Sequence, residues 1–265
     1  MTDQRVVPGA DGSRFASIVH VVETGSTNAD LLEAARNGEP PGAVRVTDHQ
    51  TAGRGRQSRA WHDDPGNAML MSVLLRPPRP VVPIVPLLAG LAVTDGASAV
   101  AAAAGGTDGP DALALKWPND VLVPALAERK LSGILAEAIT TPSLAVVVGM
   151  GLNLRWGTPP PADVAARAAT LEEVAGRPLD RWDVVRAVLA ALDEWLTTAE
   201  GAGGLEAVLW EYRRRCCTIG RAVRLERPAD VIEGTAVRVA DDGALVVETS
   251  DGLVTVTAGD AHHLA

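Results

Sequence analysis

The segment formed by residues 116–120 constrains this chain most, because it places a lysine, an amide and a carboxylate on one short turn. Its sequence is Lys-Trp-Pro-Asn-Asp, and it follows the apolar run 112–115. Proline fixes its own φ angle and favours an extended backbone at the preceding Trp117. The backbone of such a turn is restricted, so its polar side chains have defined positions, as a binding site requires. A simple proline–asparagine turn between two strands would account for the same residues without any function. We call this segment the Lys116 turn.

A second segment, residues 50–61, concentrates positive charge in a chain whose formal net charge is -9. We call it the arginine loop, and it contains Gly53, Arg54, Gly55, Arg56, Arg59 and the terminal Trp61. Glycine lets backbone N–H groups approach an anion, and guanidinium groups can bind carboxylates or phosphates bidentately. The pattern therefore predicts an anionic ligand, although a solvated basic loop is the common alternative.

Length and composition allow one large core and one small module. The chain has 265 residues, of which 47% are hydrophobic and 22% charged. The weakly polar stretch 81–106 is broken by prolines and by Asp95, so it predicts a buried alanine-rich helix rather than a membrane span. Residues 1–14 carry acidic residues, proline and glycine instead of a targeting signal. We expect a cytoplasmic protein without a membrane partner.

Cysteine and histidine usage indicates no metal centre. The chain has two cysteines, Cys216 and Cys217, which are adjacent and cannot supply a disulfide framework or a four-cysteine zinc site. Its histidines show no ligand spacing. The sequence therefore leaves any metal ligands unknown.

The hydrophobic pattern changes at Cys217. Before it, short apolar strands alternate with helices, one of which begins near Thr27. After it, four short strands alternate with Asp-Asp-Gly and Ser-Asp-Gly turns. We therefore divide the chain into a domain of residues 1–217 and a β-barrel-like domain of residues 218–265.

Five motifs in this order resemble those of the biotin protein ligases. They are Ser-Thr-Asn at 26–28, Gly-Arg-Gly-Arg in the arginine loop, the Lys116 turn, Lys-Leu-Ser-Gly-Ile-Leu at 130–135 and Gly-Met-Gly-Leu-Asn at 149–153. The resemblance covers roughly residues 19–154 and extends weakly to the C-terminus. It implies an α+β fold in which a mixed or antiparallel sheet packs against helices. This is the class II synthetase-like fold of biotin and lipoate ligases, followed by a small SH3-like β-barrel.

The resemblance also implies a reaction. Members use ATP to attach biotin to a lysine of the biotin carboxyl carrier domain of acetyl-CoA or acyl-CoA carboxylase, through biotinyl-5′-AMP. ATP and biotin would be substrates, with Mg²⁺ bound mainly through the phosphates. About 25 residues precede Ser26, which is too few for the DNA-binding domain that some members carry, so we expect no nucleic-acid partner. We expect a monomer or a weak homodimer.

Site residues follow from the same resemblance. Lys116 would bridge the biotin carboxylate and the α-phosphate, and it would share the catalytic role with Arg56. The biotin-binding set would be Ser26, Thr27, Asn28, Gln50, Gly53, Arg54, Gly55, Arg56, Lys116 and Gly133. The ATP-binding set would be Arg54, Arg56, Arg59, Trp61, Lys116, Asn119, Asp120 and Asn153.

Structural explanations compete with several of these assignments. Ser26 or Thr27 could simply cap a helix, Gln50 could end a strand, and Gly133 could mark a bulge. Two departures from the family pattern also stand out: Ser58 occupies a usual glycine position, and the tail 259–265 lacks a basic residue. A lipoate ligase-like enzyme and a non-catalytic biotin or adenylate-binding sensor are the alternative functions.

Overall fold

The computed structural model of the chain describes residues 4–9, 12–59, 61, 64–106, 112–141, 143–227 and 230–264. Eight strands form the first sheet: β1 (Gln4–Pro8), β2 (Ser17–Thr24), β3 (Val44–Gln50), β4 (Ala68–Leu75), β5 (Ala114–Lys116), β6 (Asp120–Val123), β7 (Arg129–Thr141) and β8 (Ser143–Asn153). Their order is β1-β2-β3-β4-β8-β7-β6-β5. Strands β2 and β3 run parallel and the other neighbours run antiparallel, so the predicted mixed sheet is confirmed.

Helices cover both faces of this sheet. They are α1 (Thr27–Arg36), α2 (Val85–Ala103), α3 (Ala162–Ala165), α4 (Leu171–Ala175), α5 (Arg181–Glu200) and α6 (Gly204–Arg215). Leu31 and Ala35 of α1 pack against Leu74 and Val147 on one face. Helices α2 and α5 pack together in the main core on the other face. The N-terminal end of α1 lines a cavity through Thr27 and Asn28.

Helix α2 is buried, as its sequence predicts. The stretch Val82–Ala103 is long and apolar enough to cross a membrane, but 72% of its most apolar window is buried inside the fold. A helix that is hydrophobic on all sides is typical of a protein core as well as of a membrane span. The burial of α2 supports the first interpretation.

The C-terminal strands form a second, antiparallel sheet. They are β9 (Ala222–Glu226), β10 (Val231–Val239), β11 (Leu245–Thr249), β12 (Gly252–Val256) and β13 (Asp260–His263), in the order β12-β11-β10-β9-β13. Five strands agree with the expected SH3-like module. The sequence predicts only four, because Asp-Ala-His-His lacks the β-branched alternation that indicates a strand. We keep the domain boundary at 217/218 as a proposal.

Trp117 joins the two sheets. Its side chain is 1% exposed and lies in a hydrophobic core that also contains Val223 and Leu245 of the second sheet. Its backbone N–H donates to Thr218 Oγ1 at 3.0 Å, and Nε1 donates to the carbonyl of Gly243 at 2.9 Å. Contacts with the C-terminal domain therefore fix the Lys116 turn, and they also fix the backbone that carries its other polar residues.

Candidate active site

A cavity of about 190 Å³ lies between the arginine loop, the N-terminal end of α1 and strands β7 and β8. Its lining includes most of the predicted site residues: Ser26, Thr27, Asn28, Gln50, Arg54, Gly55, Arg56, Arg59, Trp61, Asn119, Asp120 and Gly133. These residues come from distant segments of the chain, and the fold brings them together around one space. Gly53, Lys116 and Asn153 do not line it.

The floor of the cavity is neutral and polar. Gln50 Oε1 accepts hydrogen bonds from the Thr27 backbone N–H at 2.9 Å and from Thr27 Oγ1 at 3.2 Å. The Thr27 hydroxyl also lies 2.7 Å from the buried hydroxyl of Ser72. Ser26 occupies the N-cap position of α1, but its side chain makes no capping hydrogen bond. Capping is therefore not the role of the Ser26 hydroxyl, and the floor offers short, fixed donors and acceptors.

Hydrogen bonds fix both polar atoms of the Asn28 side chain. Its Nδ2 donates to the carbonyl of Leu135 at 3.2 Å and to Glu137 Oε2 at 2.9 Å, and its Oδ1 accepts from Ser72 at 2.6 Å. A Cβ atom at Gly149 would lie only 2.4 Å from Asn28 Oδ1, so glycine is required there. Because its polar atoms are already bonded, Asn28 shapes the cavity wall more than it offers free groups.

Each arginine of the loop has a different partner. Arg54 pairs with Glu137 at 3.4 Å, Arg56 Nη1 donates to Asn119 Oδ1 at 3.2 Å, and Arg59 forms an ion pair with Asp260. Burial lowers the pKa of Arg56, and the charges of Asp260 and Asp120 partly offset this effect. The Arg56 guanidinium stays protonated at neutral pH, because arginine does not lose its proton in proteins. Arg56 is thus a largely desolvated cation whose hydrogen-bond partner among the described residues is a neutral amide.

Trp61 lies across two facing glycines. Gly133 and Gly151 are cross-strand partners on β7 and β8, and Cβ atoms there would lie 3.2 Å and 2.8 Å from the Trp61 ring. The ring also lies 5.8 Å from Lys130 Nζ, and its buried Nε1 has no hydrogen-bond partner among the described residues. These glycines therefore let an aromatic ring lie directly on the sheet.

The backbone of the arginine loop depends on Gly53 and Gln57. Gly53 accepts a hydrogen bond from the Trp61 backbone N–H at 2.9 Å, and a Cβ at Gly53 would lie 2.9 Å from the Trp61 carbonyl. Gly53 therefore closes the loop without lining the cavity. The left-handed residue of the segment is Gln57, with φ 52°, rather than Ser58.

The structure does not place Lys116 where the sequence-based assignment needs it. Lys116 lies outside the cavity lining, and its charge acts on His263 and Cys217. Asn153 is also outside, and its amide donates to the carbonyls of Ala169 and Lys130 at 3.1 Å and 3.4 Å. Both predicted ligand contacts therefore lack support from the geometry.

Lys130 is the lysine of the cavity, and sequence reasoning did not assign it. Its Nζ forms an ion pair with Asp120 Oδ1 at 2.7 Å. The sequence also gave no role to Asp260 or to the apolar lining formed by Leu70, Met71, Ile134, Leu135 and Met150. The motif at 130–135 contained a signal for Lys130, because a lysine three residues before a glycine recurs there in the resembling family.

His263 gives the domain contact a pH dependence. Burial lowers the pKa of His263, and the nearby charges of Lys116 and Arg221 lower it further. A depressed pKa means that the unfolded chain binds a proton more readily than the folded chain below about pH 6.5. This contribution to stability is therefore complete above pH 6.5 and is lost as the pH falls through the folded pKa.

We expect His263→Asn to lose less stability than the wild type between pH 7.5 and pH 5.5. Urea unfolding of both proteins at several pH values measures the difference in their free energy of unfolding. The contributions of other titrating groups cancel, because both proteins share these groups. Parallel pH profiles for the two proteins would show that His263 does not titrate in this range.

Comparisons with known proteins agree with the cavity. The model of the Biotin/lipoate A/B protein ligase family matches residues 22–153, and that of the Biotin protein ligase C terminal domain matches residues 218–264. A biotin–[acetyl-CoA-carboxylase] ligase of Mycobacterium tuberculosis is 37% identical, over 96% of this chain and 91% of that protein. The bifunctional ligase/repressor BirA of Bacillus subtilis is 33% identical, over 89% of this chain and 70% of its own length.

A solved structure shows the same architecture. The biotin protein ligase of Aquifex aeolicus in complex with biotin and ATP has a TM-score of 0.75 and 26% sequence identity, covering 93% of this chain and 98% of that chain. The sequence relatives, the two matching domains and this shared fold agree along most of the chain. The chain therefore belongs to the biotin protein ligase family.

Proposed function

We propose that the cavity activates biotin with ATP and that the chain then transfers biotin to a lysine of a biotin carboxyl carrier domain. As a biotin protein ligase, the chain attaches biotin in an ATP-dependent reaction. The observation that carries the proposal is a cavity with a neutral polar floor at one end and three arginines and a lysine at the other. Biotin is a neutral bicyclic urea with an anionic tail, and ATP carries a triphosphate. The two substrates side by side have the same distribution of charge.

The neutral end suits the ureido ring of biotin. A cyclic urea presents a carbonyl acceptor and two N–H donors, and the side chains of Ser26, Thr27 and Gln50 offer complementary groups. The Thr27–Gln50–Ser72 hydrogen bonds hold these groups before the ligand arrives. We propose that Met150 and Ile134 contact the apolar part of biotin, since both line the cavity.

Lys130 takes the bridging role that the sequence suggested for Lys116. In the first step the biotin carboxylate attacks the α-phosphorus of ATP, which forms the mixed anhydride and expels pyrophosphate. Negative charge then accumulates on both reacting groups, so a compact ammonium between them stabilises the transition state. Lys130 lines the cavity, and its Nζ lies beside Gly133, pairs with Asp120 and lies 5.8 Å from the Trp61 ring. A lysine in this position can turn toward an anionic ligand.

The nucleotide end would use the rest of the charged wall. Arg54, Arg56 and Arg59 would bind the carboxylate and phosphate oxygens, and the Trp61 ring would stack on the adenine. Asn119 and Asp120 would keep Arg56 and Lys130 in place, because they are their observed partners. We leave Asn153 out of the ligand set, since its amide already holds two backbone carbonyls.

Mg²⁺ fits this arrangement only with the phosphates as its main ligands. In the part of the chain that the structure describes, no group of three histidine, cysteine, aspartate or glutamate residues could hold a metal ion. The Asp120 carboxylate lies in the cavity and is an oxygen ligand of the kind that Mg²⁺ prefers. When bound, the ion would withdraw negative charge from the departing pyrophosphate.

The test is pyrophosphate release from ATP with either biotin or lipoate, followed by transfer to a carrier domain. We expect release with biotin and labelling of one carrier lysine. Release with lipoate alone would indicate a lipoate ligase, and binding without release would indicate a sensor. We further propose a cytoplasmic protein that acts as a monomer or weak dimer without nucleic acid.

A further inference from the structure

The C-terminal domain places a carboxylate inside the cavity. Asp260 is the first residue of β13, and its backbone pairs with Glu226 of β9. Its side chain is 13% exposed and forms an ion pair with Arg59. Oxygen Oδ2 of Asp260 is shielded from solvent and accepts no hydrogen bond from the described residues, so Arg59 supplies its compensating charge.

The same carboxylate also acts on Arg56. Among the charges around the Arg56 guanidinium, that of Asp260 is the strongest one that favours the protonated form. Asp260 therefore lies in the field of two of the three arginines that line the cavity. The third, Arg54, pairs at 3.4 Å with Glu137, which does not line the cavity and is 27% exposed, against 13% for Asp260. Asp260 is therefore the less exposed of the two carboxylates that pair with arginines of the loop, and it lines the cavity.

The β13 backbone does not depend on this ion pair. Antiparallel hydrogen bonding to β9 already fixes residues 260–263, and Ala261 is buried in the core. A carboxylate at position 260 is thus unnecessary for folding of the strand. The cavity volume of about 190 Å³ is also below the roughly 300–1,000 Å³ of ordinary ligand sites. Side chains that now occupy the cavity must move when a nucleotide enters.

We propose that Asp260 is an internal substitute for a phosphate: it holds Arg59 until nucleotide binds and thereby sets the affinity for ATP. This inference rests on the proposed nucleotide site at the arginine loop. Nucleotide binding must break the Asp260–Arg59 pair, and the Asp260 charge repels the entering phosphates. The binding-competent fraction of the free protein is reduced, which raises the apparent dissociation constant in proportion. Asp260 is therefore a positioning residue that discriminates between the two substrates, because biotin's ureido end does not meet it.

The experiment measures KM for ATP, KM for biotin and kcat from pyrophosphate release by the full chain. Asp260→Asn should lower KM for ATP on the order of 3–10-fold, with KM for biotin and kcat within about twofold of wild type. The matched control is Glu226→Gln, which removes an equal charge from the cross-strand partner outside the cavity and should leave all three constants unchanged. Should the asparagine variant fail to fold, Asp260→Ser makes the same test.

A double variant shows whether Asp260 acts through Arg59. Arg59→Gln alone should raise KM for ATP, and adding Asp260→Asn to it should restore little, because no pair remains to be broken. An unchanged or raised KM for ATP in Asp260→Asn would overturn the proposal, as would an equal decrease in Glu226→Gln. Failure of the proposed function is a separate result, since the wild type would then release no pyrophosphate with biotin and ATP.

Discussion

Lys130→Ala is expected to slow biotin-dependent pyrophosphate release on the order of 10²–10³-fold, about 3–4 kcal/mol in the transition state. The ammonium of Lys130 lies in the cavity at 2.7 Å from Asp120, where it can neutralise charge that develops between carboxylate and phosphate. Its effect should appear mainly in kcat, because this charge is greatest in the transition state. Lys130→Arg should not restore activity, since a longer planar guanidinium cannot occupy the same point between two anions.

Lys116→Ala is the matched control. It removes the same side chain from β5 of the same sheet, but Lys116 lies outside the cavity lining. We expect pyrophosphate release within a few-fold of wild type, with circular dichroism confirming that both variants are folded. The opposite ranking, with Lys116→Ala inactive and Lys130→Ala active, would restore the assignment made from sequence and refute the one made from geometry.

The presence of Lys130 rather than Lys116 in the cavity lining has a physical cause. Lys130 and Gly133 are three positions apart, so a regular strand would place them on opposite faces. The register of β6 against β7 shifts by one residue between Val121 and Leu122, as at a β-bulge, and Lys130 reaches the position that a Cβ of Gly133 would occupy. No local sequence pattern predicts this change of register between β6 and β7. The motif could be recognised, but the direction of its lysine could not be predicted.

Sequence reasoning assigned no role to Asp260 for a different reason. The sequence correctly indicated a mixed sheet followed by a β-rich C-terminal module. It could not indicate that a residue about 200 positions after the arginine loop ion-pairs with it. Contacts between domains depend on how two folded surfaces meet. The two anchors of this interface, Trp117 and Asp260, therefore become visible only in the assembled chain.

Trp117→Ala is expected to cost about 3–5 kcal/mol of the free energy of unfolding. The substitution removes a large side chain that is 1% exposed and leaves the carbonyl of Gly243 without its donor. For a chain of this size the loss corresponds to a decrease in melting temperature of roughly 6–20 °C. Trp117→Phe keeps most of the packing but loses the Nε1 hydrogen bond, so it should cost about 1–3 kcal/mol.

Trp210→Ala provides the control for these tryptophan variants, because Trp210 is 63% exposed on α6 and its removal should change stability by no more than about 0.5 kcal/mol. The Trp117 substitution should also weaken ATP binding, measured on folded protein well below the melting temperature. Asn119 and Asp120 lie two and three residues after the anchored tryptophan and hold Arg56 and Lys130, so releasing the anchor loosens both cations. A destabilised Trp117→Ala protein with normal KM for ATP would show that Trp117 serves packing alone and that the C-terminal domain does not position the site through it.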